Sequence, residues 1–397
     1  MFEQLQEAPA DPILGLSETY AADPRETKVN LTVGVYQDEA GKTPVLACVQ
    51  EAGAVLLAGE KTKTYLPIPG PPELGVAVRG LLFGNENPLV SGGRAVTVQT
   101  PGGTGGLRIA GDFLRNHHPE AKIWLSDPTW PNHPAIFRAA GLSTEIYPYL
   151  DPGTGRLDSD RMLAALRNIP AGDVVVLHGC CHNPTGVDPD LDVWKEIASI
   201  AAEKRWLPLV DLAYQGFGAG LEEDVAGLRE IAACVPEFLV CSSFSKIFGL
   251  YRERIGAMTL VAGTPEHATA ALSQIKIAIR TSYSNPPAHG GQLVSTILLD
   301  PARAAQWRDE LAAMRERIQG MRGGLADALR AAGARGDFEF LREQRGMFSM
   351  LGLSREQVET LRSDHAVYLV GSGRINVAGL FPANLDLVAR AIVAVGG

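Results

Sequence analysis

Residues 238–256 read FLVCSSFSKIFGLYRERIG, and the expected fold is built outward from this stretch. The apolar start, residues 238–240, predicts a buried strand that ends in small hydroxyl residues and a single lysine, Lys246. Arg254 follows before a second apolar run, so we expect the chain to leave a sheet, turn and return. Ligands of α/β proteins bind at strand ends. Lys246 is therefore either a solvated loop lysine or a nucleophilic amine whose pKa is lowered by burial beside other cations.

Composition narrows the class of protein. The chain has 397 residues, of which 46% are hydrophobic, and a net charge of −9. These values predict a folded protein of two or three domains and make nucleic acids and anionic membranes poor partners. The N-terminal sequence MFEQLQEAPADP has neither a basic start nor an apolar core, and no apolar run approaches membrane-spanning length. The five cysteines form no disulfide framework, so we expect a cytoplasmic protein.

Apolar strand patterns alternate with helical patterns from residue 95 up to the strand before Lys246. This alternation predicts an α/β fold, with a mostly parallel sheet covered by helices and with the loops after the strands open at one edge. Residues 265–333 predict long helices, and the last part of the chain predicts a second, smaller α/β domain, joined by a strand at residues 28–36. The expected division is an N-terminal arm at residues 1–14, a large domain at residues 44–313, and a small domain formed by residues 15–43 and 314–397.

The loop PGGTGG, residues 101–106, lies between a predicted strand and a predicted helix. The free N–H groups of Gly103 and Thr104 at the start of that helix would suit a phosphate. Glycine turns at this position are also common for structural reasons alone. Because the loop has neither the lysine of a P-loop nor the spacing of the dinucleotide fingerprint, nucleotide binding is not expected.

Asp211 ends another apolar strand, where a carboxylate is costly unless a cation meets it. A protonated pyridine nitrogen would be such a cation, and its protonation makes the ring an electron sink. The alternative is an aspartate that caps the following turn. Tyr214 and Asn183 also follow predicted strands, and both could donate hydrogen bonds to a phenolate oxygen on the same ring.

The loop HGCCHNPTG, residues 178–186, contains cysteines and histidines but does not predict a metal site. The adjacent Cys180 and Cys181 cannot easily reach one tetrahedral zinc, and the chain has no CxxC pair. We therefore expect no metal.

Arg280 in AIRTSYSNPP and Arg374 in GSGRINVAG are each flanked by apolar or small residues. Each arginine taken alone predicts a surface salt bridge. Together with a nucleophilic lysine, however, two planar guanidinium groups that grip carboxylates predict a site for a compound with two carboxylates and one amine.

Taken together, these motifs resemble the pyridoxal-phosphate aminotransferases of fold type I, and among them the aspartate/aromatic aminotransferases. The similarity extends over essentially the whole chain, through NLTVGVYQDEAGKTPVL, QTPGGTGGLR, SDPTWPNH, HGCCHNPTG, DLAYQGFGAGLEED, SFSKIFGLYRERIG, SNPPAHG, RGMFSMLGLS and SGRINVAGL. The cofactor that the resemblance implies is pyridoxal 5'-phosphate.

The resemblance also implies a role for each matched residue. The catalytic residues would be Lys246, Asp211 and Tyr214. Around the cofactor, the implied roles are Lys246 as the Schiff-base lysine, Ser243, Arg254, Gly103 and Thr104 at the phosphate, Asp211 at the ring nitrogen with His133 behind it, Tyr214 and Asn183 at the phenolic oxygen, and Trp130 on the ring face. Around the substrate, they are Arg374 with Gly34 at the α-carboxylate, and Trp130 and Asn183 beside them. In the implied homodimer, Tyr65 would reach the cofactor phosphate of the neighbouring subunit and Arg280 the side-chain carboxylate of its substrate.

The implied activity is ping-pong transfer of the amino group between L-aspartate and 2-oxoglutarate, with aromatic amino acids as candidate second substrates. The alternative within the family is an aromatic amino acid aminotransferase that uses tyrosine or phenylalanine with glutamate and 2-oxoglutarate. The segments GVYQDEAGKTPVL and SNPPAHG look more like the aspartate type, whereas YLPIPG and SFSKIFGLY look more like the aromatic type. Outside the family, a non-catalytic cofactor-binding protein would need neither Arg280 nor Arg374, and a serine–lysine hydrolase built on Ser243 or Ser245 would need no cofactor.

Overall fold

The structure is a computed structural model, and it describes residues 1–7 and 14–397. Within the expected N-terminal arm, residues 8–13 lie outside the described residues, and Phe2–Gln4 form a short 3-10 turn. The strands, in chain order, are β1 (Val29–Asn30), β2 (Ala95–Pro101), β3 (Ile123–Asp127), β4 (Thr144–Pro148), β5 (Leu150–Asp151), β6 (Arg156–Leu157), β7 (Val174–His178), β8 (Leu207–Leu212), β9 (Phe238–Ser243), β10 (Ile255–Val261), β11 (Phe348–Met350), β12 (Val367–Tyr368) and β13 (Arg374–Asn376).

The helices account for most of the remaining regular structure. In chain order they are α1 (Leu14–Ala22), α2 (Ala47–Gly59), α3 (Pro72–Phe83), α4 (Pro88–Ser91), α5 (Gly102–His117), α6 (Asn132–Ala139), α7 (Ser159–Leu166), α8 (Leu191–Lys204), α9 (Ala226–Cys234), α10 (Pro265–Ser282), α11 (Ala288–Leu298), α12 (Pro301–Ala331), α13 (Phe340–Glu343), α14 (Arg355–His365) and α15 (Pro382–Ala394). Among the described residues, no helix combines the length and the apolar composition that crossing a bilayer would need.

Contacts divide the described part of the chain into two compact units. The smaller unit is formed by residues 1–43 and 317–397, and the larger unit by residues 44–316. The larger unit ends at residue 316, whereas the sequence pattern predicts its end at residue 313. This limit lies inside the continuous helix α12, so no turn or break in the sequence marks it.

A mixed sheet forms the centre of the larger unit. Within the described residues, seven strands pair in the order β2-β10-β9-β8-β7-β3-β4. Neighbouring strands run parallel except at β10, which is antiparallel to both β2 and β9. Every residue of β7, β9 and β10 is buried, as expected for strands covered on both faces. The predicted mostly parallel α/β sheet is therefore confirmed.

Helix α5 closes one part of the core of the larger unit. Its apolar residues, such as Leu107 and Leu114, belong to the same buried cluster as Leu209, Leu239 and Met258 of the sheet. Full burial of one such side chain contributes roughly 1.5–3 kcal/mol to stability. This packing fixes the helix that begins directly after β2.

The sheet register brings the ends of several strands to one edge. His178 at the end of β7 pairs with Asp211 on β8. Pro101, the last residue of β2, pairs with the first residue of β10, and Ser243, the last residue of β9, pairs with Gly256. Because β2, β7, β8 and β9 run in one direction, the loops that follow them open at the same edge, where ligands of α/β sheets bind.

The smaller unit contains short strand pairs. Strand β1 pairs in parallel with β12, and β11 pairs antiparallel with β13. The predicted strand over residues 28–36 is wrong beyond Val29–Asn30. The Asn30 side chain accepts hydrogen bonds from the backbone N–H and the hydroxyl of Thr32, at 3.0 and 2.6 Å, and thereby turns the chain. Further along, the carbonyl groups of Val33 and Val35 accept hydrogen bonds from the side-chain amide of Asn376 instead of pairing with a neighbouring strand.

Candidate active site

Lys246 lies in the turn after β9, half-buried, with Nζ 5.0 Å from the centre of the Tyr214 ring. Burial lowers the pKa of Lys246 to about 8, with the Asp211 carboxylate opposing this shift and the Arg254 guanidinium reinforcing it. At such a pKa roughly a tenth of the side chains would be neutral amines at pH 7, against fewer than about one in a thousand for an ordinary lysine. The partial burial and the lowered pKa of Lys246 favour a nucleophilic amine over a solvated loop lysine.

Asp211 lies within β8 and contacts a buried imidazole. Its Oδ2 accepts a hydrogen bond from Nε2 of His133 at 3.0 Å, and the His133 side chain is fully buried. Burial by itself raises the pKa of Asp211, but the hydrogen bond from His133 and the positive charge of Lys246 oppose this effect, and overall the pKa is lowered. Asp211 therefore stays a carboxylate, able to face a cation.

A hydrogen-bond chain continues from His133 away from Asp211. Thr129 Oγ1 lies 2.8 Å from Nδ1 of His133 and 3.2 Å from Nε2 of His178. The backbone N–H of Asn183 makes a long hydrogen bond of 3.5 Å to Nδ1 of His178. Nothing in the sequence singles out Thr129, and the sequence presents His178 only as a candidate metal ligand. The signal that could have found His178 is its position at the end of a strand that neighbours the strand of Asp211.

The direction of this chain follows from protonation. Burial lowers the pKa of His178 to about 3, so His178 is neutral at pH 7. Its Nδ1 accepts from Asn183, and the ring proton therefore lies on Nε2 and is donated to Thr129. The Thr129 hydroxyl then donates to His133, which donates to Asp211. The chain thus joins two residues that the resemblance places at different atoms of one ring.

The start of α5 forms an anion cradle. Gly102 has a φ of +72°, and a Cβ there would lie 2.3 Å from Nη2 of Arg254. A Cβ at Gly103 would lie 3.1 Å from Cβ of Ser243. Nη1 of Arg254 donates to Oγ of Ser245 at 3.2 Å. A guanidinium, small hydroxyls and a helix start without bulky side chains are suited to a phosphate group.

The residues of the larger unit satisfy the requirements of pyridoxal phosphate. The anion cradle suits its phosphate, an ionised Asp211 suits a protonated ring nitrogen, and a lysine of lowered pKa suits attachment of its aldehyde. Trp130 packs edge-on against His133, with ring centres 5.2 Å apart, which holds the indole beside the imidazole that bonds Asp211. Tyr214 and Asn183 are both buried.

Tyr65 and Arg280 line one pocket of the larger unit. The cavity measures about 380 Å³, and Ile68, Ser284 and Asn285 complete its lining. Tyr65 is 90% exposed, and the Arg280 guanidinium bonds to the hydroxyl of Ser284. The structure thus brings together the two residues that the resemblance assigns to a neighbouring subunit's site.

Arg374 and Gly34 meet around Phe348 in the smaller unit. Arg374 is 3% exposed, so its interpretation as a surface salt bridge is wrong. Its Nη2 donates to the carbonyl of Thr32 at 2.7 Å, and its Cζ lies 4.3 Å from the centre of the Phe348 ring. A Cβ at Gly34 would approach Cζ of Phe348 to 2.7 Å, so glycine is needed there. Phe348 was not singled out from the sequence.

Comparison with known proteins identifies the family. The model of the family "Aminotransferase class I and II" matches residues 26–392. An aspartate aminotransferase of Escherichia coli (strain K12) is 53% identical over 395 residues, with 100% of both chains covered. An aromatic-amino-acid aminotransferase of Pseudomonas aeruginosa is 48% identical, over 99% of this chain and 98% of the relative.

A solved structure extends the similarity to the fold. The crystal structure of an aromatic-amino-acid aminotransferase from Burkholderia pseudomallei, covalently bound to pyridoxal phosphate, matches with a TM-score of 0.97 at 48% identity, over 100% of both chains. These matches overturn the serine–lysine hydrolase and the non-catalytic binding protein as alternatives. The chain therefore belongs to the class I and II aminotransferases of fold type I, and the predicted pyridoxal-phosphate-dependent aminotransferase activity is confirmed.

Proposed function

We propose that this aminotransferase moves the amino group between L-aspartate and 2-oxoglutarate in a ping-pong reaction, with pyridoxal phosphate attached at Lys246. The observation that carries the proposal is the lysine itself. Lys246 is half-buried after a sheet strand, beside Tyr214, with a pKa of about 8 that is influenced by Asp211 and Arg254. The 53% identity to a protein named aspartate aminotransferase supports the substrate.

The proposed chemistry divides between the cofactor and the chain. When bound, pyridoxal phosphate supplies an electron sink for the charge left on Cα when an amino acid loses its α proton. Asp211 would hold a proton on the ring nitrogen, and His133 orients the Asp211 carboxylate. Lys246 would accept the Cα proton and deliver a proton to C4′ of the cofactor, since a pKa near the working pH suits a general base that must also act as an acid.

Other residues of the chain would bind the cofactor and orient the substrate. Their proposed roles follow the resemblance, and the contacts described above support them. Gly103, Thr104, Ser243 and Arg254 would bind the phosphate, Tyr214 and Asn183 the phenolic oxygen, Trp130 the ring face, and Arg374 with Gly34 the α-carboxylate of the substrate. The resemblance also gives Trp130 and Asn183 a role in substrate binding. Such positioning contributes to rate because it replaces an encounter in solution by a fixed geometry.

The side chain of the substrate is the part of the proposal with two candidates. A guanidinium in the pocket of Arg280 favours a second carboxylate, and hence aspartate and glutamate. Tyr65 and Ile68 in the same pocket offer apolar surface, and aromatic-amino-acid aminotransferases are 48% identical to this chain, so an aromatic amino acid aminotransferase is the second candidate. The test is a comparison of kcat/KM for aspartate, tyrosine and phenylalanine with 2-oxoglutarate as acceptor.

A homodimer with shared active sites is part of the proposal. Tyr65 is exposed together with Val55 and Leu57 of α2, and exposed apolar side chains of this kind support an interface. In that dimer Tyr65 would contact the cofactor phosphate and Arg280 the substrate of the partner. We place the enzyme in the cytoplasm, because all five cysteines are free thiols, as in reducing compartments. Light scattering of the purified protein tests the dimer.

The covalent attachment has its own experiment. Borohydride reduction of the protein loaded with pyridoxal phosphate, followed by peptide mapping, should leave the cofactor mass on the peptide that contains Lys246. A label on another peptide, or none, would contradict the proposed attachment. This result does not depend on which amino acid is the substrate.

A further inference from the structure

Arg322 is a fully buried arginine in α12, on the part of that helix that belongs to the smaller unit. A guanidinium in such a place is costly unless its N–H groups are satisfied. Its burial therefore requires an explanation in terms of what the side chain holds.

The guanidinium of Arg322 grips the segment that leads into β11. The hydrogen bonds run from Nε to the carbonyl of Gly346 (3.2 Å), from Nη1 to Oγ of Ser349 (2.6 Å) and the carbonyl of Leu341 (3.4 Å), and from Nη2 to the carbonyls of Phe348 (2.6 Å), Gly346 (2.7 Å) and Arg345 (3.0 Å). Gly346 makes the turn before the strand, with a φ of +71°. One side chain thus binds the backbone before Phe348, the carbonyl of Phe348 itself and the hydroxyl of Ser349.

Phe348 connects Arg322 to Arg374. While its carbonyl accepts from Arg322, its ring lies 4.3 Å from Cζ of Arg374 and against Gly34. Strand pairing adds a second link, because Met350 of β11 is the register partner of Arg374 on β13. A displacement of the 341–349 segment would therefore move the surface on which the Arg374 guanidinium rests.

We propose that Arg322 is a positioning residue for substrate binding. It fixes the position of Phe348, and the Phe348 ring in turn orients the Arg374 guanidinium toward the α-carboxylate of the substrate. This inference rests on the proposed function, in which Arg374 binds that carboxylate. Because every amino acid and 2-oxo acid substrate carries this group, the role predicts an equal effect on all of them. Replacing a residue that only stabilises the fold would lower the melting temperature without raising KM.

The test uses Arg322→Lys and Ser349→Ala in the enzyme loaded with pyridoxal phosphate. Lysine at position 322 keeps the positive charge but lacks the planar guanidinium with its several N–H donors. Alanine at position 349 removes the hydroxyl that accepts one of the hydrogen bonds of that guanidinium. We expect Arg322→Lys to raise KM for aspartate, phenylalanine and 2-oxoglutarate alike by roughly 10-fold, and Ser349→Ala by roughly 3-fold, with kcat changed less than about 3-fold. The dissociation constant of succinate, a carboxylate that cannot react, should rise by the same factors.

Arg317→Lys is the matched control. Arg317 lies on the same helix and donates to the carbonyls of Asp38 and Leu380, and it packs on the ring of Tyr36. This variant should lower the melting temperature and leave KM unchanged.

An unchanged KM and succinate affinity in both Arg322→Lys and Ser349→Ala would overturn the inference, as would a rise for one substrate only. If Arg322→Lys fails to fold, Ser349→Ala decides alone. A wild-type enzyme that transaminates neither aspartate nor an aromatic amino acid would refute the proposed substrates, and succinate binding would still decide the role of Arg322.

Discussion

His178 and Asp211 lie opposite each other on the neighbouring parallel strands β7 and β8, and their side chains are joined through Thr129 and His133. The strand register sets the distance between His178 and Asp211, and the side chains of Thr129 and His133 span that distance. The hydrogen bond that Asp211 accepts from His133 is therefore the last in a chain that begins at an imidazole kept neutral by burial. This arrangement holds the carboxylate ionised inside the larger unit.

Thr129→Val tests this chain, because valine has the same shape and lacks the hydroxyl. The N–H of His178 would lose its acceptor in a buried place, so we expect the free energy of unfolding to fall by about 1–3 kcal/mol. Looser orientation of His133 should lower kcat by roughly 10-fold. Urea denaturation and steady-state kinetics measure the two effects. Thr129→Ser, which keeps the hydroxyl, should stay close to the wild type, and equal losses in both variants would show that the hydroxyl is not responsible.

Lys246→Ala tests the role of the amine. The phosphate cradle around Arg254 and Ser243 is intact in this variant, so we expect it to bind pyridoxal phosphate without covalent attachment. Loss of the nucleophile and base should lower kcat by about 10⁴-fold or more. Stopped-flow transamination and equilibrium dialysis give the two values. Lys195→Ala, at an exposed lysine paired with Asp192 on α8, is the control and should keep full activity. Near-normal turnover by Lys246→Ala would refute the assignment.

The strand ends of the larger unit could be predicted from sequence because apolar runs that alternate with helices place polar groups such as Asp211 at one sheet edge. The residues that support them could not. Thr129 contacts His178 only because the sheet brings β3 and β7 side by side, and a buried Arg322 looks like any helix arginine in the sequence. The predicted strand at residues 28–36 was wrong because a side chain, Asn30, turns the chain locally.

The lowered pKa of Lys246 predicts a pH-dependent stability of the cofactor-free protein. In the unfolded chain this amine titrates near its ordinary value of about 10.4, whereas in the folded chain it titrates at about 8. Between these values the unfolded state binds the extra proton, so this group's contribution to stability rises with pH, and below pH 8 its penalty is constant. Lys246→Met removes the penalty, and at pH 7 it should be more stable than the wild type by about 1–3 kcal/mol. Urea denaturation at several pH values should show this difference shrinking from pH 8 to pH 10.4, and a pH-independent difference would contradict the shifted pKa.

Arg280→Ala tests the choice between the two substrate classes. Removing the guanidinium from the pocket of Tyr65 and Ile68 takes away the partner of a side-chain carboxylate but leaves the apolar surface. We expect kcat/KM for aspartate to fall roughly 100-fold or more, and that for phenylalanine to change by less than about 5-fold, because only aspartate carries the second charge.

Arg374→Lys is the comparison variant for Arg280→Ala. The α-carboxylate is common to both amino acids, so this change should lower kcat/KM for aspartate and phenylalanine by similar factors. Equal losses on both substrates in Arg280→Ala would instead remove Arg280 from the side-chain pocket.

A mixture of wild-type subunits and Arg280→Ala subunits that also carry Lys246→Ala tests whether Arg280 acts on the active site of the neighbouring subunit. If Arg280 serves the neighbouring subunit, each mixed dimer contains one Lys246 site that is served by the alanine of its partner, so the aspartate activity of mixed dimers should fall well below half that of the wild type, while their phenylalanine activity stays near half.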